Sequence, residues 1–204
     1  PILAALLIFD FNKLIRFPVT FLDARCNLLF VTAASRFASF NCGKRSLVLD
    51  LKNPEAKDIM IKLLKWADVI CNNFRPGIMD KLRYSYEFCS SINPKIIYAS
   101  NSGFGDKGDW AERPSFDGVS QAFSGVLTQQ AGGPSQTPVP VDFAFSDESG
   151  AANFAFSIVT ALLARARTGK GQEIVTNQTA ATLHFSRFMI HNAFVSKFSF
   201  FNYM

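Results

Sequence analysis

The sequence predicts an α/β protein in which a parallel sheet is flanked by helices. Three observations carry this. A short Leu-rich strand, an amphipathic helix and a second apolar strand follow one another between residues 46 and 72. A third strand runs directly into a Gly-rich loop at 101–108. A long apolar helix ends at Gly169, and a fourth strand begins at Gln172. Strand–helix alternation of this kind gives parallel strands joined by right-handed crossovers.

The elements follow in order. Residues 46–51 (SLVLDL) form the first strand. Asn53 is placed to cap the next helix, with Pro54 at its first position. Ala56, Ile59, Met60, Leu63, Leu64 and Ala67 then recur at i, i+3, i+4 spacing, while Lys57, Lys62 and Lys65 lie off that stripe. The second strand is 69–72, and Arg75-Pro-Gly77 breaks the chain. Short helices at 78–82 and 86–91 lead to Asn93-Pro94 and a third strand at 95–100. The Gly-rich loop after it occupies the place where open parallel sheets bind ligands. A helix at 117–124 and a Gly/Pro loop at 132–141 follow. Asp147 then opens the longest helix, which runs to about Arg167. Phe154, Phe156, Ile158, Val159, Leu162 and Leu163 make it apolar on nearly all sides, so deep burial is expected. Arg165 and Arg167 complement its dipole, Gly169 stops it, and 172–176 is the fourth strand.

Composition narrows the function. The chain has 204 residues, 49% hydrophobic and 18% charged, which excludes wholesale disorder. No apolar run reaches the roughly 18 residues that would span a bilayer, so no membrane partner is expected. Lys+Arg number 21 against 16 Asp+Glu, and the net charge of +5 is too small and dispersed to indicate nucleic acid. Cys26, Cys42, Cys71 and Cys89 show no metal spacing, and neither do His184 and His191. Reduced thiols, no metal and a cytoplasmic location are the expectation. The chain begins at Pro1 without a basic leader segment, which reads as a processed or incomplete product rather than a signal peptide. Its 22 Phe crowd both ends, dividing the chain into a divergent segment 1–35, a core 36–181 and a divergent tail 182–204. Such a tail is expected to pack on a partner or a missing segment, or to be a non-native end.

Thr168-Gly-Lys-Gly-Gln172 and Gly43-Lys-Arg-Ser46 have a phosphate-binding look. Neither has the spacing or the strand-to-helix order of a P-loop, so they read as a helix C-cap turn and a basic turn before a strand. Asp147 has two readings. It is the N-cap of the long helix, or it is a nucleophile kept ionised by the helix's positive end. Glu148 beside it faces another way and makes no acid–base dyad with it. Asn177-Gln-Thr179 is formally a glycosylation sequon, without meaning in a cytosolic protein.

Several segments together resemble one family. They are Asn41-Cys-Gly-Lys-Arg-Ser46 running into Leu-Val-Leu-Asp-Leu-Lys52, and Ala67-Asp-Val-Ile-Cys-Asn-Asn-Phe-Arg-Pro-Gly-Ile-Met-Asp80. Asn93-Pro-Lys-Ile-Ile-Tyr98, Ser102-Gly-Phe-Gly105 and Phe116-Asp-Gly-Val-Ser-Gln-Ala-Phe-Ser-Gly125 follow. Asp147, Ala161-Leu-Leu-Ala-Arg165 and Thr168-Gly-Lys-Gly-Gln172 complete the set. In this order and spacing the chain, from about Arg36 to Ala181, resembles the class III CoA-transferases of the formyl-CoA and carnitine CoA-transferase type.

The resemblance implies part of a Rossmann-like large domain, in an enzyme about twice this length that forms interlocked homodimers. It implies acyl-CoA and a small carboxylic acid as partners, with coenzyme A the only cofactor-like group. Asp147 falls at the family's nucleophile. Leu49, Lys52, Asn73, Phe74, Lys81 and Leu82 fall on segments that hold the nucleotide, with Lys52 and Lys81 at phosphates or, equally, on a solvated face. Leu49 and Leu82 read equally as plain core. Ser102 and Phe104 fall on the loop that borders the thioester, Phe104 standing where some members have Tyr. The related acyl-CoA racemases carry a His before the Asp of the Ser-Phe-Asp segment, and Phe116 stands there, which favours transfer. The first strand and Gly-Pro turn of the family are not readable in 1–35. An inactive or CoA-binding-only fragment is therefore the alternative to a working transferase.

Overall fold

The computed structural model describes residues 6–9, 19–21, 41 and 44–196. The chain forms two compact units, Pro1–Ser100 with Ile158–Ile174, and Asn101–Ser157 with Val175–Met204. The described strands are β1 (Leu6–Phe9), β2 (Val19–Phe21), β3 (Arg45–Leu47), β4 (Val69–Asn72), β5 (Ile97–Ser102) and β6 (Gln172–Asn177). They make one sheet in the order β3-β2-β1-β4-β5-β6.

β4 pairs with β5 in parallel, Val69 opposite Ile97 and Asn72 opposite Ser100. β6 lies beside β5, and their contacts advance in one direction. Gly171 N–H donates to Pro94 O at 3.0 Å, Ser100 Oγ to Ile174 O at 3.5 Å and Thr176 Oγ1 to Asn101 Oδ1 at 2.9 Å. These three strands are the expected parallel sheet. The segment 1–35 differs from expectation, because it supplies two strands. β1 runs antiparallel to β4 and to β2, while β2 is parallel to β3. β3 and β4 therefore do run parallel, but two strands lie between them. Runs of three or four residues carry too little periodicity to be read alone.

The first unit holds a core of Met60, Leu64, Ala67, Ile70, Met79, Tyr84, Cys89, Ile96 and Tyr98. Helix α1 (Ala56–Trp66) supplies Met60 and Leu64 from the stripe read in the sequence. It starts two residues after Pro54. Asn53 Oδ1 accepts from Glu55 N–H at 3.0 Å, so Asn53 makes a tight turn ahead of the helix instead of capping it. The first strand is likewise short, since Asp50 Oδ1 accepts from Lys52 N–H at 3.0 Å and begins that turn. Helices α2 (Ile78–Lys81) and α3 (Tyr86–Ile92) lie where expected, and Ser85 Oγ caps α3 at Phe88 N–H, 3.4 Å away. Asn93 Nδ2 donates to Leu64 O and Ala67 O at 3.0 and 2.9 Å, which satisfies carbonyls at the end of α1.

The second unit contains α4 (Asp117–Phe123) and α5 (Val126–Gln130), then α7 (Gln178–Phe185) and α8 (Arg187–Ser196). The long helix α6 (Phe145–Thr168) begins two residues before Asp147. Deep burial of α6 is not observed. Phe156, Val159 and Leu163 are 72%, 57% and 56% exposed. A helix apolar all round leaves an apolar face outward whichever side meets its own chain. By length and composition α6 is also long and apolar enough to cross a membrane, which differs from the expectation that no apolar run reaches that length. At its end Gly169, at φ +72°, closes the helix, its N–H donating to Arg165 O at 2.8 Å. Thr168–Gln172 is thus a C-cap turn. Lys44 N–H donates to Asn41 O at 3.0 Å just ahead of β3, and Arg45 and Ser46, expected in a basic turn, lie within that strand. Cys71 and Cys89 are buried, while Cys26 and Cys42 lie outside the described residues.

Candidate functional site around Asp147

The first turn of an α-helix has N–H groups without intrahelical partners. In α6 these groups do not turn to Asp147. Asp117, at the start of α4, reaches them: its Oδ1 accepts from Ser146 N–H at 2.7 Å and Asp147 N–H at 3.1 Å. Its Oδ2 accepts from Gln121 Nε2 at 2.5 Å. Gln121 is fully buried and also clasps residue Val141, donating to its O at 3.2 Å and accepting from its N–H at 2.8 Å. The chain enters α6 through Ala144, a non-glycine at φ +54°. A second carboxylate therefore caps the helix, and the N-cap reading of Asp147 falls away.

The Asp147 side chain meets Gln178 instead. Gln178 Nε2 donates to Asp147 Oδ1. Gln178 is 8% exposed and opens α7, where Asn177 Oδ1 caps Ala180 N–H at 2.6 Å. Its Oε1 accepts from Ser120 Oγ at 3.0 Å and Ser115 Oγ at 3.3 Å. Ser120 Oγ lies 3.2 Å from Thr179 Oγ1, which donates to Gly103 O at 2.8 Å. Gly150, one turn along α6 from Asp147, lies beside Gln178, where a Cβ would make an ordinary contact at 3.6 Å from Gln178 Cγ.

The Asp147 carboxyl is held above the usual carboxylate range. Partial burial is the largest cause, the Asp117 charge the next; the Gln178 hydrogen bond works the other way, and Glu148 adds a smaller upward push. A carboxylate that gives up part of its hydration is a more reactive oxygen nucleophile once ionised.

Ser102 and Phe104 belong to this unit. Ser102 Oγ accepts from Gly105 N–H at 3.0 Å, which shapes the loop. Gly103 has to be Gly, because a Cβ there would lie 2.1 Å from Ser115 Cβ. Phe104 packs edge-on against Trp110 and Phe123, with ring centroids 5.3 and 5.4 Å apart. Leu49, Lys52, Asn73, Phe74, Lys81 and Leu82 belong to the first unit. Leu49, Phe74 and Leu82 pack half-buried on its core, so the reading of Leu49 and Leu82 as core describes where they are. Lys52, Asn73 and Lys81 are exposed. Neither lysine has an acidic partner among the described residues. Phe116 is 46% exposed and brings no titratable group.

Sequence reasoning missed Asp117, Gln121 and Gln178 as site residues. Asp117 was visible as a helix-start acid in the Phe116–Gly125 segment, and Gln178 lay unnoticed inside the sequon.

Residues 25–199 match CoA-transferase family III. The chain belongs to this family. An acetyl-CoA:oxalate CoA-transferase of Acetobacter aceti is 41% identical over 165 residues, covering 80% of this chain and 42% of that protein. A human alpha-methylacyl-CoA racemase is 38% identical over 147 residues, covering 72% and 38%. A CAIB/BAIF family protein from Brucella suis has the same fold, with a TM-score of 0.71 and 35% identity over 77% of this chain and 41% of that one. The chain thus spans about two-fifths of the length of these relatives.

Proposed function

We propose that this chain carries the nucleophile of a CoA-transferase, which moves CoA between an acyl-CoA thioester and a small carboxylic acid through a covalent aspartyl intermediate on Asp147. The observation that carries the reading is the division of labour between two carboxylates. Asp117 caps α6, which leaves Asp147 at an exposed position with one carboxylate oxygen on Gln178 and the other without a partner among the described residues. Asp147 attacks the thioester carbonyl, forming a C–O bond as the C–S bond breaks, and the products are a mixed anhydride and CoA thiolate. The aspartyl carbonyl of that anhydride then takes the thiolate, forming a C–S bond as the first acid leaves as its carboxylate. An acceptor carboxylate reverses both steps, so the thioester bond energy is retained.

On this proposal Lys52 and Lys81 meet CoA phosphates as point charges. Leu49, Asn73, Phe74 and Leu82 border the nucleotide, and Ser102 and Phe104 border the thioester. The exposed apolar face of α6 supports a homodimeric assembly of the complete enzyme. A cytoplasmic location goes with this reading, since acyl-CoA substrates are intracellular metabolites. Residues 36–181 form the transferase core between the two Phe-rich ends. Phe116 cannot shuttle a proton, so transfer is preferred to racemisation.

The test is adduct trapping. Incubation with an acyl-CoA should add a hydroxylamine-sensitive mass to the Asp147 peptide, and Asp147→Ala should lose the adduct while keeping CoA affinity. An adduct that persists in Asp147→Ala would overturn the assignment. A chain that binds CoA and forms no adduct would be the binding-only fragment.

A further inference from the structure

Gln178 is buried, polar and turned to the carboxylate that the proposed reaction uses. Ionised Asp147 only accepts hydrogen bonds, so Gln178 must present its NH2 to it. The opposite end of the amide enforces the same orientation. Thr179 gives its hydroxyl proton to Gly103 O, and the Ser115 and Ser120 hydroxyls, 3.0 Å apart, aim a proton at Gln178 Oε1. An amide flipped the other way would place two acceptors against each other at Asp147. Ser120 is fully buried and Thr179 nearly so, so water does not replace these partners freely.

We infer that Gln178 is a catalytic hydrogen-bond donor to Asp147 Oδ1, held by Ser115 and Ser120, which selects Oδ2 as the attacking oxygen and stabilises negative charge on Oδ1 when the aspartyl carbonyl is attacked. The inference rests on Asp147 being the nucleophile. In the first step Oδ2 forms the bond to the acyl carbon and Oδ1 becomes the carbonyl oxygen of the anhydride. In the second, the thiolate adds to the aspartyl carbon and the carbonyl electron pair moves onto Oδ1, where Gln178 N–H already points. Collapse expels the acid's carboxylate through the Oδ2 bond and restores the C=O. No proton is transferred. A donor already in place at a developing oxyanion contributes about 100- to 1,000-fold in rate.

The test compares the chain with Gln178→Met, which keeps length and apolar volume and removes the donor, and with Ser120→Ala, which frees the amide to turn. Two quantities are read: the rate of adduct formation on Asp147 with acyl-CoA, and the Asp147 carboxyl titration followed by carbon NMR. Gln178→Met should slow the adduct about 100-fold or more with CoA affinity unchanged, and should move the titration upward by removing the bond that favours the ionised form. Ser120→Ala should move both the same way by less. Adduct formation at the parent rate in Gln178→Met, or an unmoved titration in a folded Gln178→Met, overturns this role and leaves Asp147 as nucleophile. An adduct-free parent chain overturns the nucleophile and this role together. If Gln178→Met does not fold, Ser120→Ala decides: both readings unmoved in it overturn the inference.

Discussion

Asp117→Ala is the perturbation whose outcome can be worked out most fully. It removes an ionised acceptor from two N–H groups in the first turn of α6, at 2.7 and 3.1 Å. Losing a side-chain cap costs about 0.5–2 kcal/mol, and losing a negative charge at a helix N-terminus adds about 0.3–1 kcal/mol. Gln121 Nε2 keeps its second acceptor, Val141 O at 3.2 Å, so no buried donor is orphaned there. The sum is a loss of about 1–3 kcal/mol, reduced somewhat because the like charge beside Asp147 also disappears. Urea denaturation at pH 7 should show a lower midpoint at unchanged slope. The pH dependence has a defined sign. The folded Asp147 carboxyl lies above its ordinary value, so the folded state binds that proton more tightly than the unfolded state. Stability from this group is highest below the ordinary carboxylate value and falls as pH rises to the raised folded value. Asp117→Ala lowers the folded value, so the variant's stability should fall less steeply through that window. A midpoint unchanged within about 0.5 kcal/mol, the size of an ordinary surface substitution, would refute the capping argument. An unchanged pH slope would refute the electrostatic one.

Two further outcomes follow from the first unit. Gly171→Ala would bring a Cβ to 2.1 Å from Ile96 O and 2.7 Å from Ile96 N, backbone atoms that cannot step aside. A destabilisation of about 2 kcal/mol or more is expected by thermal melt, and an unshifted melt would contradict the packing of β6 against β5. The Cys89 thiol is fully buried, and burial with the nearby Glu87 charge pushes it up to about 12. Iodoacetamide at pH 8 should leave Cys89 unmodified in the folded chain and label it in urea, as read by peptide mass. Rapid labelling without urea would show that the core opens.

The central elements were legible because each carries a local signal. β4 is an apolar run between a helix end and a break, and the stripe of α1 is an unambiguous 3.6-residue period. Pro and Gly mark where α2 and β6 begin. Asp147 was legible as a residue of interest, but its role was not. Whether an acid at a helix start serves as the cap depends on whether another acceptor reaches the same N–H groups. Here that acceptor is 30 residues away, on α4. Gln178 was illegible for a similar reason, since an amide's partners are set in three dimensions by Ser115, Ser120 and Asp147. The exposure of α6 was misread because an all-apolar helix reports that something covers it without reporting what. β1 and β2 were missed because short strands draw their stability from pairing, not from their own sequence.

The sequence contains two tryptophans, and they fall one to each compact unit. Trp66 ends α1 and packs half-buried on the core of the first unit. Trp110 belongs to the second, 40% exposed, with the Arg113 guanidinium 4.0 Å from its ring centre and Phe104 and Phe123 against its edges. The two indoles therefore sit in different surroundings and should emit differently, the drier Trp66 toward the blue. Trp66→Phe and Trp110→Phe turn the protein into a pair of single-reporter chains, each fluorescing from one unit. Superimposed denaturation curves from the pair would identify one cooperative transition. Separated curves would assign a distinct stability to the unit that holds Asp147.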